Sequence, residues 1–118
     1  MEKIVRQALL FDFYGELLTE HQRKVYTDVI SEDMSYSEIA EEYGVSRQGI
    51  FDLVRRCDKI LLDYEEKLRL VEKFSKARES MKDISDTMAV LKKKNSDPEL
   101  SPLIDRIEQR IEEIIEDF

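Results

Sequence analysis

Two capping boxes near the middle of this chain leave it little choice of fold. Thr19 is followed three residues later by Gln22, and Ser35 by Glu38. In each pair a hydroxyl can accept a hydrogen bond from a free amide at a helix start while the longer side chain reaches back. After the second box come Ile39, Ala40 and Tyr43, then Gly44 and Ser46. Gly44 can take the left-handed conformation that ends a helix, and Ser46 can cap the next one. Helix, tight turn and helix within about 25 residues is the spacing of a helix-turn-helix, here expected at 36–59. Small Ala40 lets the two helices approach, and Val45 and Ile50 are expected to plug the core between them.

The rest of the chain reads as helix too. Its 118 residues include only three Gly and two Pro, so long helices are feasible. A first helix is expected over 3–14, with apolar Ile4, Ala8, Leu9, Phe11 and Phe13, and Gly15 as its stop. A second begins after Thr19 and carries Val25, Tyr26, Val29 and Ile30 before a break at Ser31-Glu32-Asp33. The fourth is expected to run from Arg47 to Lys73 or beyond. Its apolar positions Ile50, Val54, Cys57, Leu61, Tyr64, Leu68 and Val71 form a heptad stripe. A further stripe follows at Met81, Ile84, Met88 and Leu91. Residues Lys92 to Pro98 read as a linker, and Leu103, Ile104, Ile107, Ile111, Ile114 and Phe118 mark a last helix. The expected fold is all-α with five or six helices: a helix-turn-helix domain over 1–74 and a C-terminal helical extension over 75–118.

Three successive stripes are more apolar surface than so short a chain needs. Cover by the chain itself is one reading. The favoured reading combines it with a homodimer through the C-terminal half, with a seam of Val54, Leu61, Leu68, Ile107, Ile111 and Ile114.

Charge narrows the function. The formal net charge is −8, which argues against clamping phosphates over the whole surface but leaves room for a local basic patch. Such a patch lies on the second helix of the motif. There Ser46, Arg47, Gln48, Asp52, Arg55 and Arg56 are candidate nucleic-acid contacts, since Arg and Gln are the residue types that read guanine and adenine edges. Between 46 and 59, Arg47, Arg55, Arg56 and Lys59 face Asp52 and Asp58. Glu38, Glu41 and Glu42 on the preceding helix would repel phosphate. A motif of this kind serves nucleic-acid or protein contacts alike.

Chemistry beyond binding finds no support. His21 has no Cys or His at ligand spacing, and Cys57 falls on an apolar stripe where a thiol is inert. The pairs Glu41-Glu42, Glu65-Glu66 and Glu112-Glu113 are helix neighbours, which diverge by about 100° and do not converge as a catalytic pair. Lys92, Lys93 and Lys94 read as solvated charge. No catalytic site, metal, cofactor or small-molecule substrate is expected. A single cysteine, no apolar run of membrane length and no leader-like start give a cytoplasmic expectation without membrane insertion.

The motif residues also resemble known proteins. Leu17-Leu18-Thr19 to Val25-Tyr26, Ser35 to Ala40, and Tyr43-Gly44-Val45-Ser46-Arg47 resemble the fourth region of bacterial sigma factors. Over nearly the whole length the chain resembles the YlxM-like family. The resemblance is carried by Leu9 to Thr19, Val45 to Asp52, the Arg55-Arg56 pair and Tyr64 to Leu68. That family consists of small helix-turn-helix proteins of low-GC Gram-positive bacteria. Its gene accompanies those of the signal recognition particle's GTPases. The resemblance implies a regulatory protein that binds the particle's protein or RNA. The sigma likeness implies the alternative, a DNA-binding transcriptional regulator in which Arg47 and Gln48 open the recognition helix.

Overall fold

The structure, a computed structural model, describes residues 2–31 and 33–117. Among these the chain forms six α-helices and no strand. They are α1 (Lys3–Tyr14), α2 (Glu20–Ser31), α3 (Tyr36–Tyr43), α4 (Arg47–Leu68), α5 (Leu70–Lys94) and α6 (Ser101–Asp117), with one 3-10 turn at Gly15–Leu17. The all-α expectation is met. Met1, Glu32 of the expected break and Phe118 of the last stripe lie outside the described residues. The chain divides into two compact units, Met1–Val71 and Glu72–Phe118.

In the first unit α1, α2 and α3 pack around the inner face of α4. Ile50, Val54, Cys57 and Leu61 of α4 meet Leu10, Tyr14, Val25, Tyr26, Val29, Ile39 and Ala40, and all are buried. The chain itself thus covers Val54 and Leu61. This corrects the expected dimer seam, because side chains that close an intrachain core are not available to a partner. Val45, expected in the core, is instead 48% exposed. Ile50 is buried as expected. The inner line of α1 also differs from expectation. Leu10 and Tyr14 are buried, while Leu9, Phe11 and Phe13 only flank the core.

Polar anchors tie α4 in place. Asp58 accepts hydrogen bonds from Gln7 Nε2 at 3.0 and 3.1 Å and from the Tyr26 hydroxyl at 2.5 Å. One carboxylate therefore joins α4 to α1 and α2. The Tyr26 ring also stacks on Phe11 at 5.4 Å. Burial and the Asp58 carboxylate raise the Tyr26 hydroxyl far above its ordinary value, so it acts as a donor at any ordinary pH.

The long fourth helix ends sooner than its stripe suggests. α4 stops at Leu68, and Arg69 takes the left-handed conformation at φ 54°. For a residue with a Cβ this costs about 1–2 kcal/mol. A network at the start of α5 offsets it. The Tyr14 hydroxyl donates to Glu65 Oε1 at 2.6 Å and accepts from the Leu70 amide at 3.1 Å. The same carboxylate oxygen accepts from the Val71 amide at 3.0 Å. Two otherwise orphaned amides are capped by side chains from two other helices. Val71 is buried, whereas Leu68 is 46% exposed. Gly15 ends α1 without a positive φ. Its role is space, since a Cβ there would lie 2.9 Å from the Phe11 ring.

In the second unit α5 and α6 form a helical pair around Met88, Ile104 and Ile111, flanked by Met81 and Ile115. Burial of Ile111 removes it, too, from the expected seam. Lys92 to Lys94, expected in a linker, form the last turn of α5, where cations suit the helix dipole. Lys92 bridges Asp105 and Glu108 of α6 at 3.1 and 3.2 Å. Asn95 and Asp97 hold the connection by accepting from the Asp97 and Glu99 amides.

Cys57 is fully buried. Burial first, then the Asp58 charge, pushes its thiol up to about 11, against a smaller opposing pull from Arg56. Because the folded value is raised, the stability linked to this group is full below its ordinary value of 9.0 and is lost as pH climbs through about 11. A thiol reagent at pH 8 should therefore label native protein slowly, with a rate that rises in urea in step with loss of helical signal. Rapid labelling of the native chain would contradict this placement.

Candidate nucleic-acid interface

The turn between α3 and α4 is set by local hydrogen bonds. Ser35 Oγ accepts from the Glu38 amide at 3.1 Å and Glu38 Oε1 from the Ser35 amide at 3.4 Å, so the capping box is present. Thr19 and Gln22 form the same arrangement ahead of α2. At the other end of α3, Gly44 is left-handed at φ 66°. The Val45 amide donates to the Ala40 carbonyl and the Gly44 amide to the Glu41 carbonyl. These are the two bonds of a Schellman turn. Ser46 then caps α4, with Oγ accepting from the Gly49 amide at 2.9 Å. A Cβ on Gly49 would lie 3.2 Å from that oxygen. The glycine is half-buried under its own cap rather than set on an open face, which accounts for a poor helix former at this position.

The first turns of α4 face solvent. Ser46, Arg47, Gln48, Asp52, Arg55 and Arg56 are all exposed, but they do not form one set. At about 100° per residue, Arg47, Arg55, Gln48 and Asp52 span an arc of about 140° that begins beside the core line at Arg47 and reaches the opposite side at Asp52. Arg56 points about 100° from Arg55, on the other side of the solvent-facing line. Ser46 commits its hydroxyl oxygen to the cap. Gln48 Nε2 donates to Asp52 Oδ1 at 3.0 Å, which fixes the amide and shields part of the carboxylate.

Electrostatics on this side are more favourable than a sequence count gives. Asp58 turns inward to Gln7 and Tyr26. Arg47, Arg55, Arg56 and Lys59 therefore face the exposed Asp52 alone among the charges of residues 46–59. Glu38, Glu41 and Glu42 are exposed on α3 and oppose an approaching phosphate from that side. Tyr43 is drawn away from the surface as its hydroxyl donates to Asp28 Oδ2 at 2.8 Å. That bond, then burial, pushes its pKa up to about 12.

Two residues of the site were not singled out from sequence. Phe51 is exposed at 44%, with the Arg55 guanidinium 5.9 Å over its ring. Tyr36, from the start of α3, lies 6.4 Å from it between centroids. The signal was present in the spacing, because Phe51 stands four residues from both Arg47 and Arg55 and so between them on the helix. Elsewhere, the described residues contain no cluster of three or more His, Cys, Asp or Glu able to hold a metal ion. No described helix is long and apolar enough to cross a membrane.

Comparison with known proteins agrees with this geometry. Residues 1–100 match the family described as "Putative helix-turn-helix protein, YlxM / p13 like". A UPF0122 protein of Clostridium acetobutylicum is 44% identical over 111 residues, covering 94% of this chain and 96% of the relative. One from Shouchella clausii is 42% identical over 112 residues, covering 92% and 97%. One from Acetivibrio thermocellus is 38% identical over 116 residues, covering 98% and 99%. A family match over most of the chain, full-length relatives near 40% identity and a capped helix-turn-helix together place the chain in the YlxM/p13-like helix-turn-helix family.

Proposed function

We propose that this chain is a cytoplasmic, non-catalytic regulatory protein of the signal recognition particle pathway. It contacts the particle, and first of all its RNA, through the outer face of α4. The observation that carries the contact face is the inward turn of Asp58, which leaves Asp52 as the one exposed carboxylate against four cations within residues 46–59. The pathway comes from the family resemblance. The sigma-like order of Arg47 and Gln48 at the opening of the second motif helix favours a second reading, a transcriptional regulator that reads duplex DNA.

Titration of the full chain against the particle's RNA and against duplex DNA of equal length separates the two. With four cations engaged, affinity should fall roughly 50- to 150-fold between about 50 and 200 mM salt. If Arg47 reads a base, Arg47→Ala should weaken binding by about 1–3 kcal/mol. Tighter binding to one DNA sequence than to the RNA would favour the second reading. Equal binding by parent and Arg47→Ala would remove Arg47 from the site. A particle protein as the contact would show as capture from lysate that survives RNase.

A homodimer belongs to the same proposal, with a narrower seam than the stripes first suggested. Leu103, Ile107 and Ile114 remain exposed on α6, and Leu68 at the end of α4.

A further inference from the structure

The start of α4 carries aromatic walls that groove reading does not use. Tyr36, Arg47, Gln48 and Phe51 line a hollow of about 480 Å³, within the span of about 300–1,000 Å³ usual for small-ligand clefts. The Tyr36 and Phe51 rings open at 55° to each other, so the hollow is a wedge with one exposed aromatic face. We propose that it holds one unpaired nucleotide, its base stacked on Phe51 and its phosphate against Arg47. This deepens the reading of α4 as a nucleic-acid contact and rests on it.

Three observations favour that occupant. A base inside a duplex has both faces covered by its neighbours and offers only its edges, so an exposed ring finds a partner only in a base that is unpaired. The Arg55 guanidinium lies 5.9 Å over the ring, Arg47 lines the hollow beside it, and the described residues lining the hollow include no carboxylate. An aromatic group that carries an anion matches this; an apolar peptide side chain would leave the cations unanswered. Gln48, held by Asp52, presents an amide that can meet a base edge.

Two RNA hairpins test the proposal, identical except that one carries a single unpaired 2-aminopurine. The full-length parent should prefer the bulged hairpin, and binding should change the fluorescence of the unpaired base. Phe51→Ala should weaken bulged-hairpin binding roughly 10- to 100-fold, the loss of one base–aromatic stack, and leave the paired hairpin nearly unchanged. Phe51→Tyr should restore the preference. Phe51 is exposed, so both variants should keep the parent's helical circular dichroism. Parent-like binding by Phe51→Ala, with Arg47→Ala still weakened, would overturn the stacking site and leave the nucleic-acid reading standing. A parent that binds neither hairpin nor duplex DNA would overturn both.

Discussion

Leu61→Asp should unfold the first unit rather than merely separate two subunits. Leu61 is fully buried between α4 and the helices around it. Removing its side chain forfeits roughly 1.5–3 kcal/mol of apolar burial. An unpaired carboxylate in that place adds several kcal/mol more, because nothing apolar around it can answer the charge. Together these approach the whole stability of about 5–15 kcal/mol expected of a small domain. Circular dichroism should show a large loss of helix at 25 °C. Leu61→Ala, which leaves a cavity without a charge, should remain folded and be less stable by about 2–5 kcal/mol. A Leu61→Asp protein with parent-like helix and stability would mean that this side chain meets solvent or a partner, against the placement described.

The contrast between Leu61 and Arg69 explains which parts of the fold could be read beforehand. The motif was legible because its signals are local. Ser35 with Glu38, Gly44 and Ser46 act on amides within a few residues, so sequence spacing contains the whole interaction. The break between α4 and α5 was not legible. No Gly, Asn or Pro stands at 69, and the groups that stabilise the turn come from Tyr14, more than fifty residues away, and from Glu65. A heptad pattern passes through such a break without a mark, so the stripe reads as one helix. Which residues line the core and which lie exposed was hidden for a similar reason. A stripe shows that a face is apolar but not what covers it.

The contact face was legible as residue types and less so as geometry. Gln48, Asp52 and Arg55 do share the outer face, with Arg47 at its edge beside the core line. Asp58 could not be set apart from Asp52 by counting charges, since its partners Gln7 and Tyr26 lie on other helices. Phe51 is not legible as a surface residue, because an aromatic residue in an amphipathic helix ordinarily belongs to the core.

Ile107→Asp should weaken self-association strongly while leaving the helices of the second unit formed. α6 carries two adjacent apolar stripes. Ile104, Ile111 and Ile115 turn toward α5. Leu103, Ile107 and Ile114 lie within an arc of about 40° beside them, at 54%, 46% and 39% exposure. Only three residues among those described are buried in the core of this helical pair, a small core for a unit of two helices, and helices in proteins draw most of their stability from packing. A second copy laid along the open stripe would supply the missing packing. In a two-fold dimer each seam residue occurs twice. Covering the exposed half of each Ile107 is worth about 1–2 kcal/mol, so the substitution should raise the dissociation constant roughly 30- to 1,000-fold, before counting the carboxylates it places in the seam. Sedimentation equilibrium on parent, Ile107→Asp and the solvent-facing control Glu112→Gln checks this. The parent and control should be dimers at micromolar concentration and Ile107→Asp a monomer, with helical signal retained in all three. A parent that is monomeric at that concentration would mean that the open stripe of α6 is not a dimer seam.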